Sequence, residues 1–190
     1  MSLYTRFGKR AVDVVASATV LIALSPVLLA AAFAIRLEDG GPILFVSERV
    51  GRGGRTFPFY KFRSMPVNTA HVPSAEAGSL RVTRIGRVLR RTNLDELPQL
   101  VNILRGEMSL VGPRPAIPRQ AELQNLRRAS GALDCTPGLT GLAQVSAYDG
   151  MPETEKARYD AEYARSVTFR QDALVVLRTL GYLAKPPPAY

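Results

Sequence analysis

The chain has one cysteine and one histidine among 190 residues, and that scarcity excludes two kinds of protein. The lone Cys135 cannot build an internal disulfide framework and suits a reducing compartment. With His71 it offers no spacing for a zinc site, and a Cys–His nucleophile would need the fold to bring two distant residues together. Acidic residues are also few, 16 against 25 lysines and arginines, for a net charge of +9. That balance narrows the partners to anionic ones: nucleic acid, anionic lipid headgroups or phosphorylated substrates. Internal repeats and long linkers are missing too. No nucleic-acid fold signature is present, and aromatic residues are not interleaved with basic ones as a stacking platform requires, so no nucleic-acid partner is expected.

What the chain does hold is an apolar run from Val14 to Ile35, interrupted by Ser17, Thr19, Ser25 and Pro26. At about 1.5 Å per residue a straight helix here would reach roughly 33 Å, just enough to cross a hydrocarbon core of about 30 Å. Pro26 breaks it. The proline removes the N–H that would reach the Ile22 carbonyl, and an unpaired carbonyl in lipid is costly unless something else satisfies it. The Ser25 hydroxyl is placed to bond back to Leu21 or Ile22, making a bend of two arms, each too short to span. Arg6, Lys9 and Arg10 precede the run, and Arg36, Arg49, Arg52 and Arg55 follow it. Positive charge on both sides is what a segment returning to the cytoplasmic face would carry. A kinked transmembrane helix is the other reading. A secretory signal is not expected, because Asp13 opens the run and no small-residue cleavage site precedes the basic stretch after Arg36.

The remaining roughly 150 residues suffice for one modest core. The expected organisation is an anchor over 1–36 and a single unit over 37–190, α+β and mostly helical. Pro42 to Val50 and Thr56 to Met65 alternate apolar and polar residues around Gly51-Arg52-Gly53-Gly54-Arg55, predicting a hairpin with a glycine turn. That glycine cluster lacks the Gly-Lys-Ser/Thr ending of a P-loop and no long helix follows it. Pro66 to Ser79 reads as a surface loop. Helical spacing covers Arg84 to Arg91 and Leu97 to Leu104. Ala173 to Leu183 places Leu174, Leu177, Leu180 and Tyr182 among Arg170, Arg178 and Lys185, a helix that lies on a membrane surface or packs in the core.

Chemistry concentrates between Arg84 and Pro115. Arg87, Arg90 and Arg91 supply forks suited to phosphate oxygens, while Asp95 and Glu96 supply carboxylates for a metal ion or a covalent phosphoryl step. The pair also has a plain reading: Asn93, three residues before Glu96, could make a capping arrangement at a helix start. Pro98 suits a first helical position and would set the pair just before a helix whose N–H groups face it.

The run Arg90-Arg91-Thr92-Asn93-Leu94-Asp95-Glu96-Leu97-Pro98-Gln99-Leu100, continuing through Asn102 to Pro113-Arg114-Pro115, closely resembles the bacterial sugar transferases called small monotopic phosphoglycosyl transferases. The resemblance covers nearly the whole chain. It extends to Lys9-Arg10 with Asp13, the Ser25-Pro26 break, Lys61-Phe62-Arg63-Ser64-Met65, Pro137-Gly138-Leu139-Thr140-Gly141 with Ala143-Gln144-Val145, and Tyr159-Asp160 with Tyr163.

This resemblance implies a re-entrant membrane helix hairpin at Ser25-Pro26, with Lys9, Arg10 and Asp13 near the interface, and a small cytoplasmic domain with amphipathic interfacial helices at the bacterial inner membrane. It implies transfer of a sugar 1-phosphate from a UDP-sugar to polyprenol phosphate, releasing UMP. Asp95 would be the nucleophile of a ping-pong scheme through a covalent phosphosugar, with Glu96 assisting through the metal or as a base. Mg2+ on Asp95 and Glu96 would offset the repulsion between carboxylate and diphosphate. Lys61, Arg63, Arg90, Arg91 and Arg114 become phosphate or nucleotide contacts, with Pro113 and Pro115 framing the last. Membrane lipids are expected partners, and a homo-oligomer is left open. Asn93 stands where serine is common, and Ser79-Leu80 and Ser146-Ala147-Tyr148 also depart from the usual pattern. Two rivals are a membrane-tethered nucleic-acid module, which leaves Asp95-Glu96 idle, and a non-catalytic scaffold, against which the intact pair argues.

Overall fold

Two helices carry the apolar run, α1 over Lys9–Ala23 and α2 over Ser25–Asp39, entered through a π-helical turn at Tyr4–Gly8. The computed structural model describes residues 3–67, 69, 82–146 and 151–183, excepting the side chains of 182 and 183. Most of the expected Pro66–Ser79 loop, with Leu80, His71, Ala147, Tyr148, Lys185 and the Tyr182 side chain, lies outside the described residues. The two helices meet at Leu24, whose φ of −95° and ψ of 4° leave the helical region. Their axes bend by 63°, and no single helix among the described residues is long and apolar enough to cross a membrane. The Ser25 hydroxyl donates to the Ile22 carbonyl at 2.8 Å, filling the bond that Pro26 cannot make.

Each helix has an outer apolar face and an inner docked one. Val12, Val15, Val20 and Ile22 of α1 and Val27, Leu29, Phe33 and Leu37 of α2 are exposed. Inward, Ile35 of α2 packs with Phe62 and Leu89. α2 runs to Asp39, slightly past the expected boundary at 36, and ends on Gly40 at φ 68°.

The expected hairpin forms from β1, Leu44–Val50, and β2, Thr56–Phe62, antiparallel with Arg49 opposite Phe57 and Phe45 opposite Lys61. Its turn needs glycine at Gly53 and Gly54, whose φ values are 66° and 84°. Phe57 and Phe59 on its inner face are buried with Leu100, Ile103 and Met108. α3, Arg84–Arg91, is capped by Thr83 and by Glu38 of α2, whose carboxylate accepts from the Arg84 and Ile85 amides at 2.6 and 3.1 Å. A 3₁₀ turn at Leu94–Glu96 leads to α4, Gln99–Arg105.

The sequence reading did not anticipate a second small sheet, in which β3, Ser109–Val111, pairs parallel with β4, Gly138–Thr140. Each strand has three residues, too few for an alternation to register. Among the described residues four further α-helices follow: α5, Ala121–Ser130, α6, Leu142–Val145, α7, Glu153–Arg165, and α8, Phe169–Leu183. In α8, Asp172 and Val175 face inward while Leu174, Leu177 and Leu180 are exposed.

Lys9, Arg10 and Asp13, expected near the membrane interface, clamp α1 to the domain body. Arg10 donates to the Ile103 and Leu104 carbonyls, closing the C-terminus of α4. Asp13 accepts the Leu110 amide at 2.9 Å, and Lys9 bridges the Val111 carbonyl at 2.9 Å and Asp172 at 2.6 Å. These bonds fix the position of α1 relative to β3 and the segment that follows it.

Candidate active site

Asp95 and Glu96 sit on the 3₁₀ turn between α3 and α4. Asn93 reaches this turn in the left-handed region at φ 54° and makes no side-chain capping bond. The capping arrangement allowed by the spacing is thus not formed, and the Glu96 carboxylate points elsewhere. Its Oε1 accepts from Lys61 Nζ at 2.6 Å and from Arg114 Nη2 at 2.7 Å, while Oε2 lies 3.4 Å from Arg114 Nη1. Burial opposes ionisation of Glu96, but Arg114 and Lys61 outweigh it and hold this carboxyl far below the usual range.

Asp95 is in the opposite situation. It is only 8% exposed, and among the described residues no cation pairs with it. Burial raises its pKa; Lys61 and Arg90 pull the other way, and Glu96 adds to the rise. Adjacent carboxylates are thereby split into one that is clamped and ionised at neutral pH and one that lacks a cation partner and is destabilised as an anion, a division typical of reactive sites.

Arg114 is delivered by the segment after β3. The Gly112 amide donates to the Thr140 carbonyl at 2.9 Å and the Gly138 amide to the Pro113 carbonyl at 2.9 Å. A Cβ on Gly112 would lie 2.3 Å from the Thr136 carbonyl oxygen, so only glycine permits this crossing. Pro113 and Pro115 stiffen the segment on either side of Arg114. Arg90 donates from Nε to the Ser64 hydroxyl at 2.9 Å, and its charge acts on Asp95.

The structure thus brings together Lys61, Arg90, Asp95, Glu96 and Arg114. It places Arg63 and Arg91 elsewhere. β2 ends at Phe62, so the alternation that would set Arg63 on the face of Lys61 lapses, and Arg63 is buried in an ion pair with Asp39 at the end of α2. Arg91 is exposed on the outer side of α3, because consecutive helical residues point about 100° apart.

Sequence reasoning counted Arg49 only as a charge flanking the membrane run. It belongs to the site's surroundings: its guanidinium lies over the Phe59 ring at 5.1 Å, and Lys61 Nζ is 5.7 Å from the same ring. Hairpin register held the signal, since Arg49 opposite Phe57 must share a face with Phe57, Phe59 and Lys61.

Among the described residues no cluster of three or more His, Cys, Asp or Glu exists to cage a metal ion. Mg2+ does not require one, because it is commonly held by one or two carboxylates with waters and substrate phosphates completing the octahedron. The unpaired Asp95 fits that demand. Glu96 has committed Oε1 to two cations and keeps Oε2 less engaged.

Residues 4–186 match the family described as bacterial sugar transferase. The chain is 42% identical to the UDP-glucose:undecaprenyl-phosphate glucose-1-phosphate transferase of Caulobacter vibrioides over 191 residues, 96% of this chain and 72% of that protein. It is 38% identical to the exopolysaccharide production protein ExoY of Sinorhizobium fredii, covering 91% of this chain and 84% of that one. With the UDP-galactose-lipid carrier transferase of Erwinia amylovora it shares 39% identity over 98% of its own length but only 42% of the relative's.

Proposed function

Because the chain belongs to the bacterial sugar transferase family, we propose that it transfers a sugar 1-phosphate from a UDP-sugar to polyprenol phosphate, opening glycoconjugate assembly at the membrane. The contrast between the unpaired Asp95 and the clamped Glu96 carries this reading. An Asp95 carboxylate oxygen attacks the phosphorus that bears the sugar. The bond from that phosphorus to the bridging oxygen breaks, and UMP leaves with the electron pair. A phosphate oxygen of polyprenol phosphate then attacks the same phosphorus, freeing Asp95 and forming polyprenol diphosphate sugar.

Electrostatics support a reading of the remaining roles. A carboxylate held as acidic as Glu96 is a poor base near neutral pH. Glu96 instead orients Lys61 and Arg114 toward the diphosphate, with Arg90 beside Asp95. Asp95 and Oε2 of Glu96 would hold Mg2+, which when bound offsets repulsion between carboxylate and diphosphate.

Exposed apolar faces on α1, α2 and α8 support a monotopic membrane seat, since patches of this kind mark contact with lipid or partners. The bent pair α1 and α2 would enter and leave the cytoplasmic leaflet, with the domain on the cytoplasmic side. A seat at headgroup level suits an acceptor whose tail cannot leave the bilayer.

The test is UMP release by protein in nanodiscs with magnesium, polyprenol phosphate and a panel of UDP-sugars. Release with one donor, absent in Asp95→Asn, is expected. Full release by Asp95→Asn contradicts the assignment.

A further inference from the structure

Arg49 is a cation that the fold holds at a cost. It is half-buried on β1, its Nε is buried without a hydrogen-bond partner, and no carboxylate among the described residues pairs with it. A desolvated guanidinium is expensive unless an anion answers it. Stacking on Phe59, at 5.1 Å from the ring centroid, recovers only part of that cost. Burial, followed by the nearby Arg114, pulls its pKa down to about 10, which leaves it charged at neutral pH.

Three connections tie this cation to the site. Phe59 carries both Arg49 and Lys61 on its ring, and Lys61 in turn holds Glu96 at 2.6 Å. The Val50 amide donates to the Ala116 carbonyl at 2.8 Å, so β1 runs beside the segment that delivers Arg114. Arg114 and Glu96 are the charges that act on Arg49.

Around the two carboxylates the cations are sorted. Lys61 and Arg90 are the cations whose charge acts on Asp95, whereas Arg114 holds Glu96 at 2.7 Å and Arg49 joins that side through the Phe59 ring it shares with Lys61 and through its charge coupling to Arg114 and Glu96. A nucleotide sugar presents two phosphates in line. With Asp95 aimed at the sugar-bearing one, Lys61 and Arg90 attend that phosphate, and the other falls to the far pair.

We propose that Arg49, together with Arg114, binds the nucleotide-side phosphate of the donor and holds it as the bond between the two phosphates breaks. The electron pair leaves with the bridging oxygen, so negative charge grows on the departing phosphate, where two guanidinium groups meet it without any proton transfer. This assignment rests on the reaction proposed above.

Arg49→Met keeps an unbranched apolar chain against Phe59 and removes the charge and the fork together. Arg49→Lys keeps the charge but loses the fork. Binding of UMP and of inorganic pyrophosphate is measured by calorimetry on nanodisc protein, alongside UMP release and the thermal midpoint. Arg49→Met is expected to weaken both ligands by about 10- to 100-fold, the scale of a hydrogen bond to a charged group, at a near-unchanged midpoint. Arg49→Lys is expected to weaken pyrophosphate several-fold. Wild-type affinity for pyrophosphate in either variant overturns the assignment. Absence of UMP release from the wild type with every donor counts against the reaction instead, and pyrophosphate titration still judges Arg49.

Discussion

Asp95 and Asp172 are both buried aspartates, 8% and 6% exposed, yet the protein treats them in opposite ways. Asp172 is saturated: Tyr4 and Lys9 each donate to Oδ2 at 2.6 Å and Tyr163 donates to Oδ1 at 2.8 Å, which joins the N-terminal turn, α1, α7 and α8. Asp160 likewise takes two bonds from Arg127, at 2.8 and 2.7 Å, linking α5 to α7. Among the described residues Asp95 has no such side-chain partner. Where a carboxylate holds the fold together, side chains from other elements answer it; Asp95 has only a backbone amide, its own, beside several cations, which is the condition of a group available to a ligand.

The contrast is broken most severely at the unpaired end. Asp95→Asn is expected to lower UMP release by roughly three orders of magnitude or more, while its thermal midpoint holds or rises because a buried, unpaired charge has been removed. At the saturated end the readouts exchange. Asp160→Asn leaves Arg127 buried without its countercharge and should cost about 3–5 kcal/mol in urea titration, with UMP release per folded molecule retained.

A pH series sharpens the comparison within the site itself. Asp95 titrates above its unfolded value when folded, so its share of stability is full below the ordinary carboxylate range and lost as pH rises through the raised value. Glu96 titrates below its unfolded value, so its share is present above that range and lost as pH falls. Relative to wild type, Asp95→Asn should therefore gain stability between about pH 4 and about pH 7, and Glu96→Gln should lose it. Urea midpoints at the two pH values check both signs. UMP release should climb over the window in which Asp95 ionises.

The smallest effect is expected at the helix break. Ser25→Ala removes the bond that fills the Ile22 carbonyl and should cost about 1 kcal/mol. Combined with Pro26→Ala it should straighten the segment toward a span, moving one flank across the bilayer in a cysteine-accessibility assay. Unchanged placement of both flanks counts against that.

Much of this was legible before any coordinates. The Ser25-Pro26 break, the hairpin, α3 and α4 follow from proline chemistry and from alternations long enough to register. Lys61, Arg90, Asp95, Glu96 and Arg114 were named from motif and charge. What escaped was set by tertiary contact. Arg63 departs because β2 stops at Phe62; Arg49 joins because strand register carries it onto the face of Phe59. Lys9, Arg10 and Asp13 direct their polar groups to α4, Val111 and Leu110, contacts 94 to 102 residues away along the chain. β3 and β4 are too short to leave a pattern.

Intact-mass spectrometry of protein incubated with magnesium and its UDP-sugar, with polyprenol phosphate withheld, tests the central claim most directly. The account predicts a mass increase equal to one phosphosugar, mapped to Asp95, absent in Asp95→Asn and discharged when polyprenol phosphate is added. An adduct on another residue, or turnover with no adduct at Asp95, would contradict it.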